Sequence, residues 1–302
     1  MSDSRFTYLP AETLDSLKHI ELVARSLVEG GMLGLHRSPF RGFSSEFAEY
    51  RKYSPGDSVK YIDWKTYARS DRYYIKCFEE ETNLRSYILL DTSGSMAMSA
   101  SDGRRTPSKF HYACYFAAAF LYLAHQQRDA QALFTWSDVP GECSACSNSA
   151  ANLAANLRRL ESLKPEGVSH AAYSLSRIAE RIPRRSLVVV FSDFLERDLS
   201  FLRSLHQLTF KRCEVILFQI LNEDELHFPY RGLIRFQDME TGEFMELEGE
   251  ACRSSYLSAL HRYNAALKNF CDQYKITMET LTTADPFERA LAAYFSKREV
   301  LF

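Results

Sequence analysis

Tyr87-Ile88-Leu89-Leu90-Asp91-Thr92-Ser93-Gly94-Ser95 is an unbroken apolar run that stops on a carboxylate and opens into small hydroxyl residues. A continuous run suits a strand buried on both faces of a parallel sheet, whereas a half-exposed strand would alternate apolar and polar residues. Similar runs follow at Ala132-Leu133-Phe134, Leu187-Val188-Val189-Val190-Phe191 and Val215-Ile216-Leu217-Phe218. Between them, helical spacing predicts helices over 107–127, 150–163, 170–182 and 199–210. Thr106 as cap and Pro107 at the first helical position mark one start, and Pro183 stops the third helix. This alternation predicts an α/β fold with a central, mostly parallel sheet flanked by helices.

Outward from these strands the pattern changes twice. Leu233-Ile234-Arg235-Phe236 and Phe244-Met245-Glu246-Leu247 flank Glu240-Thr241-Gly242, which predicts a β-hairpin inserted near 231–248. A helix over 253–274, a strand over 276–281 and a helix over 286–297 complete the C-terminal side. Toward the N-terminus, Leu14, Leu17, Ala24, Leu27 and Val28 follow helical spacing until Gly30-Gly31, so 11–29 reads as an amphipathic helix. Residues 35–81 are rich in Arg, Tyr and Phe, with a turn at Ser54-Pro55-Gly56-Asp57 and β-like runs at 59–62 and 73–76. The expected organisation is an accessory region of helix and short strands over 1–83, then an α/β domain over 84–302.

Composition narrows the function classes. With 46% hydrophobic and 25% charged residues, the 302-residue chain lies in the ordinary folded range and can build a sizeable core. A net charge of -2 provides no global positive field for nucleic acid or an anionic membrane, so neither is expected as a main partner. The longest strongly apolar stretch, 115–124, is well short of the ~18 residues a spanning helix needs. No apolar segment follows Met1-Ser2-Asp3-Ser4-Arg5, and the seven scattered cysteines favour a reducing compartment, so a cytoplasmic location is expected.

The chemistry concentrates at the strand ends. Asp91, Ser93 and Ser95 fall where a parallel sheet presents its ligand site, at the carboxyl ends of strands. The run 187–191 also ends in Ser192-Asp193, bringing a second carboxylate to the same edge. The loop Pro165-Glu166-Gly167-Val168-Ser169 precedes a helix, where Ser169 can supply another hydroxyl or simply cap that helix. Carboxylate and hydroxyl oxygens are hard ligands that suit Mg²⁺, Ca²⁺ or Mn²⁺.

This set, Asp91-x-Ser93-x-Ser95 with a hydroxyl loop and a later strand-end Asp193, resembles the metal-ion-dependent adhesion site of von Willebrand factor A domains. The resemblance implies that Ser93, Ser95 and Ser169 touch the metal, while Asp91 and Asp193 act directly or through water. The family usually carries Thr where this chain has Ser169. The segments 36–42, 49–57 and 62–69 (Ile62-Asp63-Trp64-Lys65-Thr66-Tyr67-Ala68-Arg69) resemble the signature of domain-of-unknown-function family 58. That likeness implies bacterial proteins, cytoplasmic or membrane-anchored, associated with MoxR-type AAA+ ATPases.

Mainly neutral ligands leave a dication under-neutralised, with an open position that an acidic side chain can fill. This favours binding over catalysis, and with the family resemblance it implies a non-enzymatic, metal-dependent adaptor or co-chaperone that binds a MoxR-type ATPase or its client through a carboxylate. The alternative is a metal-dependent hydrolase or phosphatase using the Asp91 loop. A phosphoryl-transfer site of that kind needs a second Asp two residues on, where this chain has Ser93, and no Walker-type glycine loop with Lys is present. Cys143-x-x-Cys146 lacks matching partners for zinc and reads as loop thiols. His36, His111, His125 and His170 are scattered, and Arg37, Arg41, Arg51 and Lys52 lie among Glu46, Glu49 and Asp57. Phe110, Phe116, Phe120 and Leu121 read as the core face of a helix.

Overall fold

The computed structural model describes residues 7–8, 45–52, 64, 66–67, 73–80, 84–100 and 106–300. The chain divides into two compact units, one of Met32–Asn83 and one of Met1–Gly31 with Leu84–Phe302. In the smaller unit, β1 (Ser45–Lys52) pairs antiparallel with β2 (Tyr74–Glu80), with a bulge between Phe47 and Glu49. The Tyr67 and Tyr73 rings stack at 4.5 Å. β2 begins within the second β-like run expected from the sequence. The first such run, at 59–62, and the helix expected over 11–29 lie outside the described residues.

The larger unit is built on a sheet of five parallel strands: β3 (Arg85–Asp91), β4 (Ala130–Trp136), β5 (Leu187–Ser192), β6 (Glu214–Leu221) and β9 (Thr277–Thr282). Their order is β4-β3-β5-β6-β9, so the chain leaves β3 for one neighbour and returns to the other. Period-two alternation sorts the side chains between two cores. Val189 and Phe191 of β5 enter one, and Val188 and Val190 enter the other.

The first core is covered by α1 (Lys109–Gln126) and α2 (Ala150–Ser162), with Leu291 and Tyr294 of a C-terminal helix. Tyr8 is buried in the same core. The second core is covered by α3 (Ala171–Arg181) and α4 (Leu202–Phe210). A short α5 (Glu223–His227) follows β6. The expected hairpin is present as β7 (Leu233–Gln237) and β8 (Phe244–Glu248), leading directly into α6 (Gly249–Gln273), which adds Leu267 and Cys271 to the second core. The C-terminal helix is α7 (Phe287–Val300).

Two local expectations are corrected. The cap of α1 is Ser108, not Thr106, because Ser108 adopts extended backbone and its hydroxyl accepts from the His111 amide at 3.3 Å. Helix α6 starts at Gly249 and not at 253, since the Gly249 amide donates to the Gly232 carbonyl at 2.8 Å and ties the helix start to the hairpin.

Candidate functional site

In an open parallel sheet, ligands bind beyond the carboxyl ends of the strands, where the strand order reverses. Here that point lies between β3 and β5, whose register pairs Leu90 with Phe191. Asp91 closes β3 and Asp193 follows β5, so both carboxylates arrive at this crevice.

Asp91 is 1% exposed. Its Oδ1 accepts from the Ser93 amide at 2.9 Å and its Oδ2 from the Ser192 hydroxyl at 2.6 Å. These bonds favour the charged form, yet burial first and the nearby Asp193 charge second push the carboxyl up to about 7. The hydroxyls of Ser93 and Ser95 lie 3.2 Å apart in the turn that follows, where Gly94–Ala97 form a 3-10 helix.

Asp193 is held differently. Its Oδ2 forms an ion pair with Lys109 Nζ at 2.6 Å, and its Oδ1 accepts from the Leu195 amide at 3.1 Å. Burial alone would raise this carboxyl, but the Lys109 charge, together with hydrogen bonds from Lys109, Leu195 and Ser95, holds it below the ordinary range. Lys109 Nζ also pairs with Glu225 Oε1 at 2.6 Å. Glu225 in turn closes a capping box on α5: its Oε2 accepts from the Asn222 amide at 2.7 Å. Lys109 is the first residue of α1, where a positive charge opposes the helix dipole, so its burial there depends on these carboxylates.

Of the residues expected from the sequence, Asp91, Ser93, Ser95 and Asp193 are thus brought to one crevice. Ser169 lies on an adjacent loop bound to it through the Gly94 amide on the Gly167 carbonyl (2.8 Å) and the Glu166 amide on the Thr92 carbonyl (2.9 Å). The Ser169 hydroxyl donates to Glu196, and its amide donates to Glu240 Oε2 at 3.1 Å. Burial, opposed by the Ser169 bond, raises the Glu196 carboxyl, and the nearby Glu240 charge adds to this.

Ser192 and Glu240 were read from the sequence only as a strand end and a turn residue, and Lys109, Glu196 and Glu225 were not picked out. Only Glu225 carried a local signal, as the third helical residue after Asn222 in a capping-box pattern. The others are joined to the crevice by contacts between distant segments.

Glu240 lies at the tip of the β7–β8 hairpin. A Cβ at Gly94 would collide with the backbone carbonyl oxygen of Met239 in the same tip. Gly94→Ala should therefore displace the tip or the Asp91 loop and lower stability by about 1–3 kcal/mol, as for other overpacked sites. Amide exchange at Glu240 and Thr241, which donate to Asp238 Oδ1 at 2.8 and 3.1 Å, should quicken. Unchanged stability and exchange would mean that the tip does not rest on this glycine.

The donor set fits a hard divalent cation. Asp91, Asp193 and Glu225 are three carboxylates against the single ammonium of Lys109, so full ionisation leaves two buried negative charges uncompensated. Burial first, and the nearby Asp193 charge second, make Asp91 the carboxyl that is harder to ionise. Among the described residues, no group of three or more His, Cys, Asp or Glu side chains is arranged to hold a metal. A cation here would rest on hydroxyls as well as carboxylates, which suits Mg²⁺ with retained waters better than zinc.

Comparisons with known proteins place these features in context. A family model described as "Protein of unknown function DUF58" matches residues 49–266. An uncharacterized protein of Mycobacterium tuberculosis (strain ATCC 25618 / H37Rv) is 24% identical over 257 residues, covering 83% of this chain and 79% of its own. An uncharacterized protein of Mycobacterium bovis aligns with the same figures. Among solved structures, the conserved hypothetical protein BatB from Bacteroides thetaiotaomicron aligns with a TM-score of 0.47 at 12% identity, covering 72% of this chain and 99% of that one. The SpRpn10 VWA domain aligns with a TM-score of 0.41 at 12% identity, covering 70% and 95% respectively.

Proposed function

The chain belongs to the DUF58 family of proteins of unknown function, and from that premise we propose that it is a non-enzymatic, divalent-cation-dependent protein-binding module. In this reading it acts in the cytoplasm as an adaptor or co-chaperone of a MoxR-type AAA+ ATPase, binding the ATPase or its client through an acidic side chain. Among the described residues no helix is long and apolar enough to cross a membrane.

The observation that carries the reading is the convergence of Asp91 and Asp193 at the point where the strand order reverses, with the Ser93 and Ser95 hydroxyls beside them. Ser93 and Ser95 would hold Mg²⁺ by their hydroxyls, Asp91 and Asp193 directly or through water, and Ser169 from the adjoining loop. When bound, Mg²⁺ supplies concentrated positive charge with a position open to a carboxylate from another protein. Both Asp91 oxygens already accept hydrogen bonds from Ser93 and Ser192 inside the protein, which supports a positioning role over a nucleophilic one.

Thermal unfolding tests the reading. At a hundredfold excess over its dissociation constant, Mg²⁺ that binds only the folded state should add ~2.7 kcal/mol, a rise of roughly 5–10 °C in Tm. Asp91→Ala should abolish the rise and the Mg²⁺-dependent capture of partner protein. The pH dependence has a definite sign. Because the folded Asp91 carboxyl is raised to about 7, the folded protein holds a proton that the unfolded chain has lost. The contribution of this group to stability is therefore present at acid pH and is lost as pH rises toward and through 7. Buried Asp129, also raised to about 7 by burial, contributes with the same sign but without Mg²⁺. The Mg²⁺-induced rise in Tm should thus grow from pH 6 to pH 8 in the wild type and be absent throughout in Asp91→Ala. A wild-type Tm indifferent to Mg²⁺ at pH 8 would sink the proposal, as would metal-dependent phosphoester turnover that Asp91→Ala removes.

A further inference from the structure

We infer that Lys109 sets the cation affinity of the Asp91–Asp193 crevice: its ammonium is a built-in counter-ion that already neutralises Asp193 and so weakens the site for a dication. The inference rests on the metal-binding reading above and specifies what controls that site.

The geometry is that of an internal cation site. Lys109 is 1% exposed, and its ammonium lies 2.6 Å from one oxygen of Asp193 and 2.6 Å from one of Glu225. The remaining Asp193 oxygen accepts from the Leu195 amide, so the carboxylate is engaged on both sides before any metal arrives. Two cations sharing one buried carboxylate repel each other over a few ångströms, where screening by solvent is weak. An incoming dication therefore meets a carboxylate whose charge is already balanced on one side. Asp91 is different: its partners are the neutral Ser192 hydroxyl and the Ser93 amide, so no side-chain cation pairs with it directly in advance of a metal. The consequence is a site with an intrinsically weak grip that exchanges its ion readily and gains affinity only when a partner's carboxylate completes it.

Lys109 cannot be replaced alone without leaving Glu225 and Asp193 unpaired, so the decisive variant is Lys109→Met with Glu225→Gln. The glutamine removes the second charge yet keeps an oxygen to accept from the Asn222 amide at the start of α5. Mn²⁺ is titrated into the full chain at pH 8, and free Mn²⁺ is followed by electron paramagnetic resonance. Lys109→Arg, which retains the charge, provides the conservative control.

The double variant should bind Mn²⁺ at least tenfold more tightly than the wild type, with Lys109→Arg close to the wild type. If the wild type binds and the folded double variant binds equally or more weakly, Lys109 does not govern affinity, and the inference fails while the metal-binding reading stands. If neither protein binds Mn²⁺, both fail together.

Discussion

Lys109→Met alone should lower the stability of the metal-free protein by about 3–5 kcal/mol, the usual cost of removing one partner from a buried ion pair. For a unit of this size that corresponds to a fall in Tm of roughly 6–20 °C. The magnitude follows from burial. The Lys109, Asp193 and Glu225 side chains are 1%, 6% and 10% exposed, so the abandoned carboxylates cannot regain water without local opening. The i,i+3 pair Arg177–Glu180 and the i,i+4 pair Lys268–Asp272 have side chains more than half exposed and should each contribute under about 1 kcal/mol. Restoring neutrality with Glu225→Gln should recover part of the loss. Chemical denaturation at pH 7 measures all of these variants, and a loss below ~1 kcal/mol for Lys109→Met would show that the triad is not closed in solution.

Phe116→Ala should cost a similar amount, about 3–5 kcal/mol, for an unrelated reason. The ring is fully buried where α1 meets the sheet. Its centroid lies 5.6 Å from that of Phe218, 6.3 Å from that of Phe191 and 5.2 Å from that of Phe287. Alanine would leave a cavity between the helix and two strands that rigid neighbours cannot fill. Phe210, at the C-terminal end of α4, is 79% exposed, and Phe210→Ala should change stability by no more than ~0.5 kcal/mol. Equal effects at the two positions would contradict the packing described above.

The contrast between these two phenylalanines shows how far the sequence could be read. Phe116 belongs to the stripe Phe110, Phe116, Phe120 and Leu121, whose spacing marks a core face, and all four are buried. The central strands were legible for a related reason: runs such as 187–191 are buried on both faces, which leaves an unbroken apolar signature. β1 was not anticipated, because Glu46, Glu49, Arg51 and Lys52 break any apolar run. α5 is too short, at five residues, to display a helical period. Its capping pair Asn222 and Glu225 was the trace it left.

The candidate site divides along the same line. Asp91, Ser93 and Ser95 lie within one turn, and Asp193 ends the other long apolar run, so adjacency in the sheet was enough to bring them together. Covalent proximity and an unbroken apolar run are local properties that the sequence alone determined, whereas the pairing of β3 with β5 belongs to the sheet. The pairing of Asp193 with Lys109 and of Lys109 with Glu225 spans 84 and 116 residues. The hairpin tip reaches Ser169 across 71 residues. Whether a lysine is a solvated surface charge or a buried counter-ion depends on which segments close around it. That choice is made where the start of α1, α5 and the segment after β5 meet, so only the tertiary structure decided it.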